Sequence, residues 1–349
     1  MSDVEKIHPQ VHDSKARQNK VLYGGMSPVD HSEIHNLLDL PVTNGPKHVY
    51  IDTDAYNEID DQFALVHALL ADKLNSELKV VAIAAAPFHN QKRETSRYTE
   101  NYAHGMELSY QEILNVIKIL DCGWDDPVYR GSTLTIAQNG GNPVQSDAAT
   151  GLVYLVNEKY SEMNPLYVLA LGALTNISSA IRMAPSIRKK MVVCTIGGLA
   201  SSLQHFKEFN YRQDFSAARI LFASGVPIVH FGYLSTQSGF SVADTLKTTQ
   251  WELEANVKDK GKIGLFLYNL FVDLITYFPG RSKTIWDFAP GAWVLNPDWF
   301  ISEVISTPVL NEKNMWTQCS GNHPMRTIKW IDREPIFNHF FELLSKHTS

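Results

Sequence analysis

Short apolar runs alternate with helix-length patterns along most of this chain. That alternation constrains its fold more than any other feature. The runs HVYID (48–52), LKVVAIAAA (78–86), LYVLAL (166–171), KMVVCTI (190–196) and VPIVHFG (226–232) are nearly unbroken in apolar residues, as strands buried on both faces require. Between them lie the helical patterns DQFALVHALLAD (61–72), SYQEILNVIKIL (109–120), LTNISSAIRMA (174–184) and DFSAARILFAS (214–224). The second opens on Ser109 with Glu112 three positions on, the spacing of a capping box. Repeated strand–helix order predicts an α/β fold with a mostly parallel central sheet, helices on both faces, open and doubly wound. Residues 47–349 are read as a single domain of this kind, closed by the strand and helix of KWIDREPIFNHFFELLSK (329–346). Residues 1–46 are polar with little periodicity and are read as an N-terminal extension, partly disordered. The apolar pattern GLFLYNLFVDLITYFPG (264–280) is expected to be core or a subunit interface, its aromatics joining Trp251 as a lid.

Charge and cysteine content remove several classes of function. A net charge of −6 without a long basic cluster argues against a nucleic-acid partner. No apolar stretch reaches the ~18 residues of a membrane span, so no membrane partner is expected. Cys122, Cys194 and Cys319 are too scattered for a disulfide framework or a zinc site, and Cys194 within MVVCTI reads as a small buried hydrophobe. The N-terminus lacks the apolar core of a signal peptide, so the expected location is cytoplasmic.

In open α/β sheets, ligands bind beyond the carboxyl ends of the strands. The first strand ends in YIDTDAYNEIDDQFALVHALLA, which sets Asp52, Asp54, Glu58, Asp60 and Asp61 within ten positions. Clustered carboxylates raise one another's pKa unless a positive charge sits among them. A hard cation resolves the conflict, since calcium takes six to eight oxygens. Asp60 or Asp61 taken alone is read as a favourable charge at a helix N-terminus. Far downstream, Asp287 lies within the apolar run TIWDFAPGAWVL, where a buried charge needs a partner.

DTDAYNEIDDQFAL resembles the signature of the inosine–uridine-preferring nucleoside hydrolases, in a longer form that lacks the usual Pro-Gly. DPVYRGS (126–132), LALGALTNISSAI (169–181), KEFNYRQDFSAARIL (207–221) and WDFAPGAWVLNP (286–297) resemble that family's later motifs, in order. The resemblance implies hydrolysis of the N-glycosidic bond of a ribonucleoside or related ribosyl compound by a calcium-activated water. One calcium per subunit would be held by Asp54, Asp61, Asp287 and the Leu171 carbonyl, with Asp54 also the general base. Asp60, Glu208 and Asn210 would bind the ribose. Asn90, or nearly as well His89, would match an asparagine at the second strand's end. Asp52 and Asn176 would support the site from behind, although Asn176 is equally read as a helix cap or as touching substrate. The small-molecule ribosyl substrate would be the partner, and the chain a homo-oligomer, dimer or tetramer.

Two positions depart from the family pattern. Trp286 stands where a histidine usually donates a proton to the leaving base, and Ser202 stands where an asparagine is usual. Trp286 can stack on a base but cannot act as an acid. His89, His205 and Tyr211 remain open as acids. A non-catalytic ribosyl-binding homologue is the alternative. A magnesium-dependent phosphatase built on the DTD motif is a weaker one, since it leaves Asp60 and Asp61 without a task.

Overall fold

The computed structural model describes residues 26–39, 45–75, 78–91, 97–199, 208–233, 241–275 and 280–348. Its centre is an eight-stranded sheet. In chain order the strands are β1 (Lys47–Thr53), β2 (Leu78–Ala85), β3 (Val128–Tyr129), β4 (Leu166–Ala170), β5 (Met191–Leu199) and β6 (Ile228–Tyr233). The short β7 (Lys247–Thr249) and β8 (Ser282–Thr284) form a ribbon of their own, followed by β9 (Phe300–Ser306). A second ribbon pairs β10 (Val309–Leu310) with β11 (Trp316–Thr317), and β12 (Pro324–Ile331) returns to the main sheet. Spatial order is β3-β2-β1-β4-β5-β6-β12-β9. All neighbours run parallel except β9, which closes one edge antiparallel to β12.

The expected mostly parallel sheet is therefore present. Alternate residues of each strand enter opposite core layers, as a pleated strand covered on both faces dictates. Val49 and Ile51 of β1, Tyr167 and Leu169 of β4, and Val192 and Cys194 of β5 join one layer, beneath the helices Asp60–Leu70, Gly261–Ile275, Phe288–Leu295 and Arg333–His347. Tyr50, Val168 and Val193 join the other, beneath Asp147–Lys159, Thr175–Met183 and Phe215–Ala223. Cys194 is fully buried, as its apolar run implied.

The chain builds outward from β1 to β2 and β3, then crosses to the other side for β4, β5 and β6. The order reverses between β1 and β4, and this switch point opens a crevice at their carboxyl ends. Asp52, Thr53 and Asp54 leave β1 there, beside Leu171 and Gly172 leaving β4.

One local expectation is corrected. The helix that was to begin at Ser109 spans Tyr102–Leu120, and its cap is Asn101, whose side chain accepts from the His104 N–H at 2.9 Å. Ser109 lies buried within it, its hydroxyl accepting from the Tyr56 N–H at 3.4 Å, and Glu112 accepts from Gln62 across to the Asp60–Leu70 helix. The helical path through YAHGMEL outweighed a local capping pattern. Within the stretch read as an extension, His31–Leu37 forms a helix capped by Asp30. Ile34 and Leu38 are buried, and Arg326 of β12 donates to the Leu38 carbonyl at 2.9 Å. Residues 1–25, 40–44 and 276–279 lie outside the described residues. Among the described residues, no helix is long and apolar enough to cross a membrane.

Candidate functional site

A cavity of about 270 Å³ opens at the switch point. Asp54 lines it from the end of β1, and Asp60 and Asp61 from the first turn of the next helix. That helix has no side-chain cap, so its free N–H groups and dipole favour negative charge at its start. The Thr53 hydroxyl donates to Asp61 and fixes its carboxyl against β1. Asp287 arrives from the turn after β8, at the head of the Phe288–Leu295 helix. Asp60, Asp61 and Asp287 each place one oxygen within 4.8 Å of the others, and all three are buried. Asp54 joins the same electrostatic group, and its Oδ2 has no hydrogen-bond partner among the described residues.

Burial dominates the acidity of this group, and the mutual repulsion of its members adds to it. Burial pushes Asp60 up to about 6, against the pull of Lys283, and Asp61 up to about 7, with Asp60 adding to the rise. Burial, then the neighbouring carboxylates, holds Asp54 and Asp287 well above the usual carboxylate range. Such a group is short of positive charge. An oxygen-only donor set with an unpartnered carboxylate oxygen suits a hard divalent cation.

Behind the wall, the Asn176 amide donates to Asp52 Oδ2 at 2.9 Å and to the Ala85 carbonyl at 3.1 Å. Its carbonyl oxygen accepts from the N–H and hydroxyl of Ser132, at 2.7 and 2.8 Å. One side chain thereby joins the ends of β1 and β2 and the turn after β3. Asn176 does not cap its own helix. Burial pushes Asp52 up to about 7, although the bond from Asn176 opposes the rise.

The opposite wall comes from β5 and the short helix Phe209–Gln213. Gly197 and Gly198 form a bulge with φ of 131° and 71°. A Cβ on Gly198 would sit 2.3 Å from the Tyr211 ring, so a side chain is excluded there by space as well as by backbone. The Glu208 carboxylate caps that helix, accepting from the N–H groups of Asn210, Tyr211 and Gly198 at 2.7, 3.0 and 3.0 Å. Asn210 donates to the Leu171 carbonyl at 2.8 Å and the Ile196 carbonyl at 3.3 Å. Trp286 closes the third side, its indole N–H donating to Asp244 at 2.6 Å.

Of the residues singled out by sequence, Asp54, Asp60, Asp61, Leu171, Glu208, Asn210, Trp286 and Asp287 line the cavity. His89 and Asn90 do not: the His89 N–H donates to Gln213, and the Asn90 N–H to the Thr99 hydroxyl. Tyr211 is buried behind the wall with its hydroxyl against Thr195. Ser202 and His205 lie outside the described residues. Sequence reasoning passed over Asn57, Phe209, Arg212 and Ser241, which also line the cavity, and gave Glu58 no role of its own. It also passed over Lys283, whose ammonium pairs with Glu58 just outside the lining. Glu58 and Asn57 were visible in the acidic stretch, and Phe209 and Arg212 in KEFNYRQDFSAARIL, whereas Ser241 and Lys283 sit in segments with no chemical signature.

Known proteins resemble this chain. A pyrimidine-specific ribonucleoside hydrolase, RihB, of Escherichia coli O157:H7 is 29% identical over 129 residues, covering 36% of this chain and 38% of that protein. The match thus spans about two fifths of that relative's length. The purine-preferring ribonucleoside hydrolase of Gardnerella vaginalis superposes with a TM-score of 0.65 at 18% identity, covering 86% of this chain and 99% of its own. A plant nucleoside hydrolase does so with a TM-score of 0.63 at 19% identity, with the same coverage. At such identities the superpositions speak for the fold. The sequence profile described as inosine-uridine preferring nucleoside hydrolase matches residues 49–334, most of the chain. The chain belongs to the inosine-uridine preferring nucleoside hydrolase family.

Proposed function

We propose that this protein hydrolyses the N-glycosidic bond of a ribonucleoside or related ribosyl compound, with calcium as its cofactor. The observation that carries the reading is the convergence of Asp287 on Asp60 and Asp61, residues more than two hundred positions away in the chain, in one cavity with Asp54 and the Leu171 carbonyl. Asp54, Asp61, Asp287 and the Leu171 carbonyl would hold the cation, and Asp60 is close enough to share in it. When bound, a divalent cation supplies charge that ionises the carboxylates, grips a sugar diol and makes nearby water more acidic.

The chain's own residues do the rest. Asp54, once ionised, accepts the proton of the attacking water as general base. Asp60 and Glu208 accept from ribose hydroxyls. The Glu208 carboxylate is already held by three backbone N–H groups, so it is oriented before substrate arrives. Asn210 turns its amide from the Leu171 carbonyl to the sugar. As the C–N bond breaks, positive charge develops on the ribose, and the surrounding carboxylates favour it. Trp286 offers a ring on which the leaving group stacks. Its N–H is committed to Asp244, and no histidine lines the cavity among the described residues. Trp286 in the usual place of a histidine favours a leaving group that departs without strong protonation from that position.

The test is a panel of nucleosides and ribosylated cofactors assayed for free ribose, with Asp54→Asn beside the parent. Loss of a general base lowers the rate by about 10²–10⁴-fold. An Asp54→Asn protein as active as the parent refutes the assignment. Trp286 in the family's usual place for a histidine also favours a second reading, a ribosyl-binding homologue, which predicts nucleoside binding with no release of base. Turnover of p-nitrophenyl phosphate with magnesium would instead point to a phosphatase.

A further inference from the structure

Lys283, on β8, is a buried cation held against Glu58 and Trp286, both of which line the cavity, and the reaction outlined above gives it no part. Its side chain is only 5% exposed. The ammonium pairs with Glu58 and lies 3.8 Å from the centroid of the Trp286 ring. Burial works against its charge. The attraction of Asp60, then Glu58 and Asp287, outweighs burial and holds its pKa above the ordinary lysine value. Lys283 thus stays charged against Glu58, Asp60 and Asp287, two of which belong to the carboxylate triad.

We propose that Lys283 is a built-in counter-ion of the metal centre: its ammonium holds the acidic group together without metal and, by repulsion, weakens the site's grip on a divalent cation. The proposal rests on the reading that such a cation binds among Asp60, Asp61 and Asp287. A purely structural salt bridge to Glu58 makes the opposite prediction. Removing a structural bridge loosens the site and weakens metal binding or leaves it unchanged, whereas removing a resident cation tightens it.

The experiment is calorimetric titration of chelator-stripped protein with calcium, paired with thermal melting in chelator and in excess calcium. The proteins are the wild type, Lys283→Met, Lys283→Arg and Asp287→Asn. Removing one nearby positive charge is expected to tighten calcium binding about tenfold in Lys283→Met. Lys283→Arg keeps the charge and is expected to stay near the wild type. In chelator, Lys283→Met is expected to melt below the wild type and to gain more from calcium. Should Lys283→Met not fold when stripped, Lys283→Gln, which keeps a donor to Glu58, carries the same expectation. Calcium affinity that is unchanged or weaker in the neutral variants overturns the proposal. If wild type and Asp287→Asn alike bind no calcium, the metal reading fails and takes this inference with it.

Discussion

Replacing Asn176 by alanine tests whether one amide joins the strand ends beneath the site. The side chain is buried and makes four hydrogen bonds, to Asp52, to the Ala85 carbonyl and twice to Ser132. At a net ~1 kcal/mol each, their loss costs about 4 kcal/mol. The remainder falls on Asp52. Its Oδ1 already lacks a partner among the described residues, so losing the bond to Oδ2 strips the buried carboxyl of the support it has there. A cost of roughly 4–5 kcal/mol is a large share of the ~5–15 kcal/mol that holds a domain folded. The assay is equilibrium urea unfolding in excess chelator, which removes any contribution from bound metal. Ser132→Ala, which deletes only one hydroxyl donor, serves as the scale and is expected to cost about 1 kcal/mol. If Asn176→Ala costs no more than Ser132→Ala, the amide is not the junction it is taken to be.

Other consequences are open to measurement. Gly198→Ala combines a left-handed backbone with a Cβ 2.3 Å from the Tyr211 ring, whereas at Gly123, with φ of 74°, the nearest atom is 3.9 Å away. Gly198→Ala should therefore lose ~2–5 kcal/mol and Gly123→Ala only ~1–2, and equal losses in urea unfolding would remove the packing argument. In chelator, stability should fall as pH rises. Asp60 at about 6, and Asp52 and Asp61 at about 7, are raised above their unfolded values, so the folded state binds the extra protons. That stability is complete below about pH 4 and is lost as pH rises through 6–7. Measurement from pH 6.5 upward avoids the opposing effect of His230 and His323, which burial lowers to about 4 and which destabilise the fold as pH falls from 6.5. Stability that rises over pH 6.5–8 in chelator would contradict the burial of these carboxyls. Trp286→Ala should lower kcat/KM about tenfold through loss of stacking, and an unchanged value on the best substrate of the panel would take Trp286 out of the site.

The strand–helix alternation was legible because unbroken apolar runs and helical periodicity are local properties of the chain. Asp52, Asp54, Asp60 and Asp61 were legible for the same reason, since one strand end and one helix start carry them all. The cap at Asn101 was not, because the hydrogen bond at a helix start depends on where the helix path settles. Nor was the division of labour between His89 and Asn90 on one side and Arg212 and Ser241 on the other, which follows from how loops fold over the sheet. Asp287 drew attention as a charge in an apolar run, but only the crossover of the chain between β1 and β4, and the return of its later helices, sets it against Asp60 and Asp61. Lys283 shows the limit most clearly. Periodicity marks which residues are buried and local motifs mark which are polar, so the sequence alone determined the layers and the acid. Coulomb attraction depends on distance through space and not along the chain, so tertiary structure alone decided which charges meet.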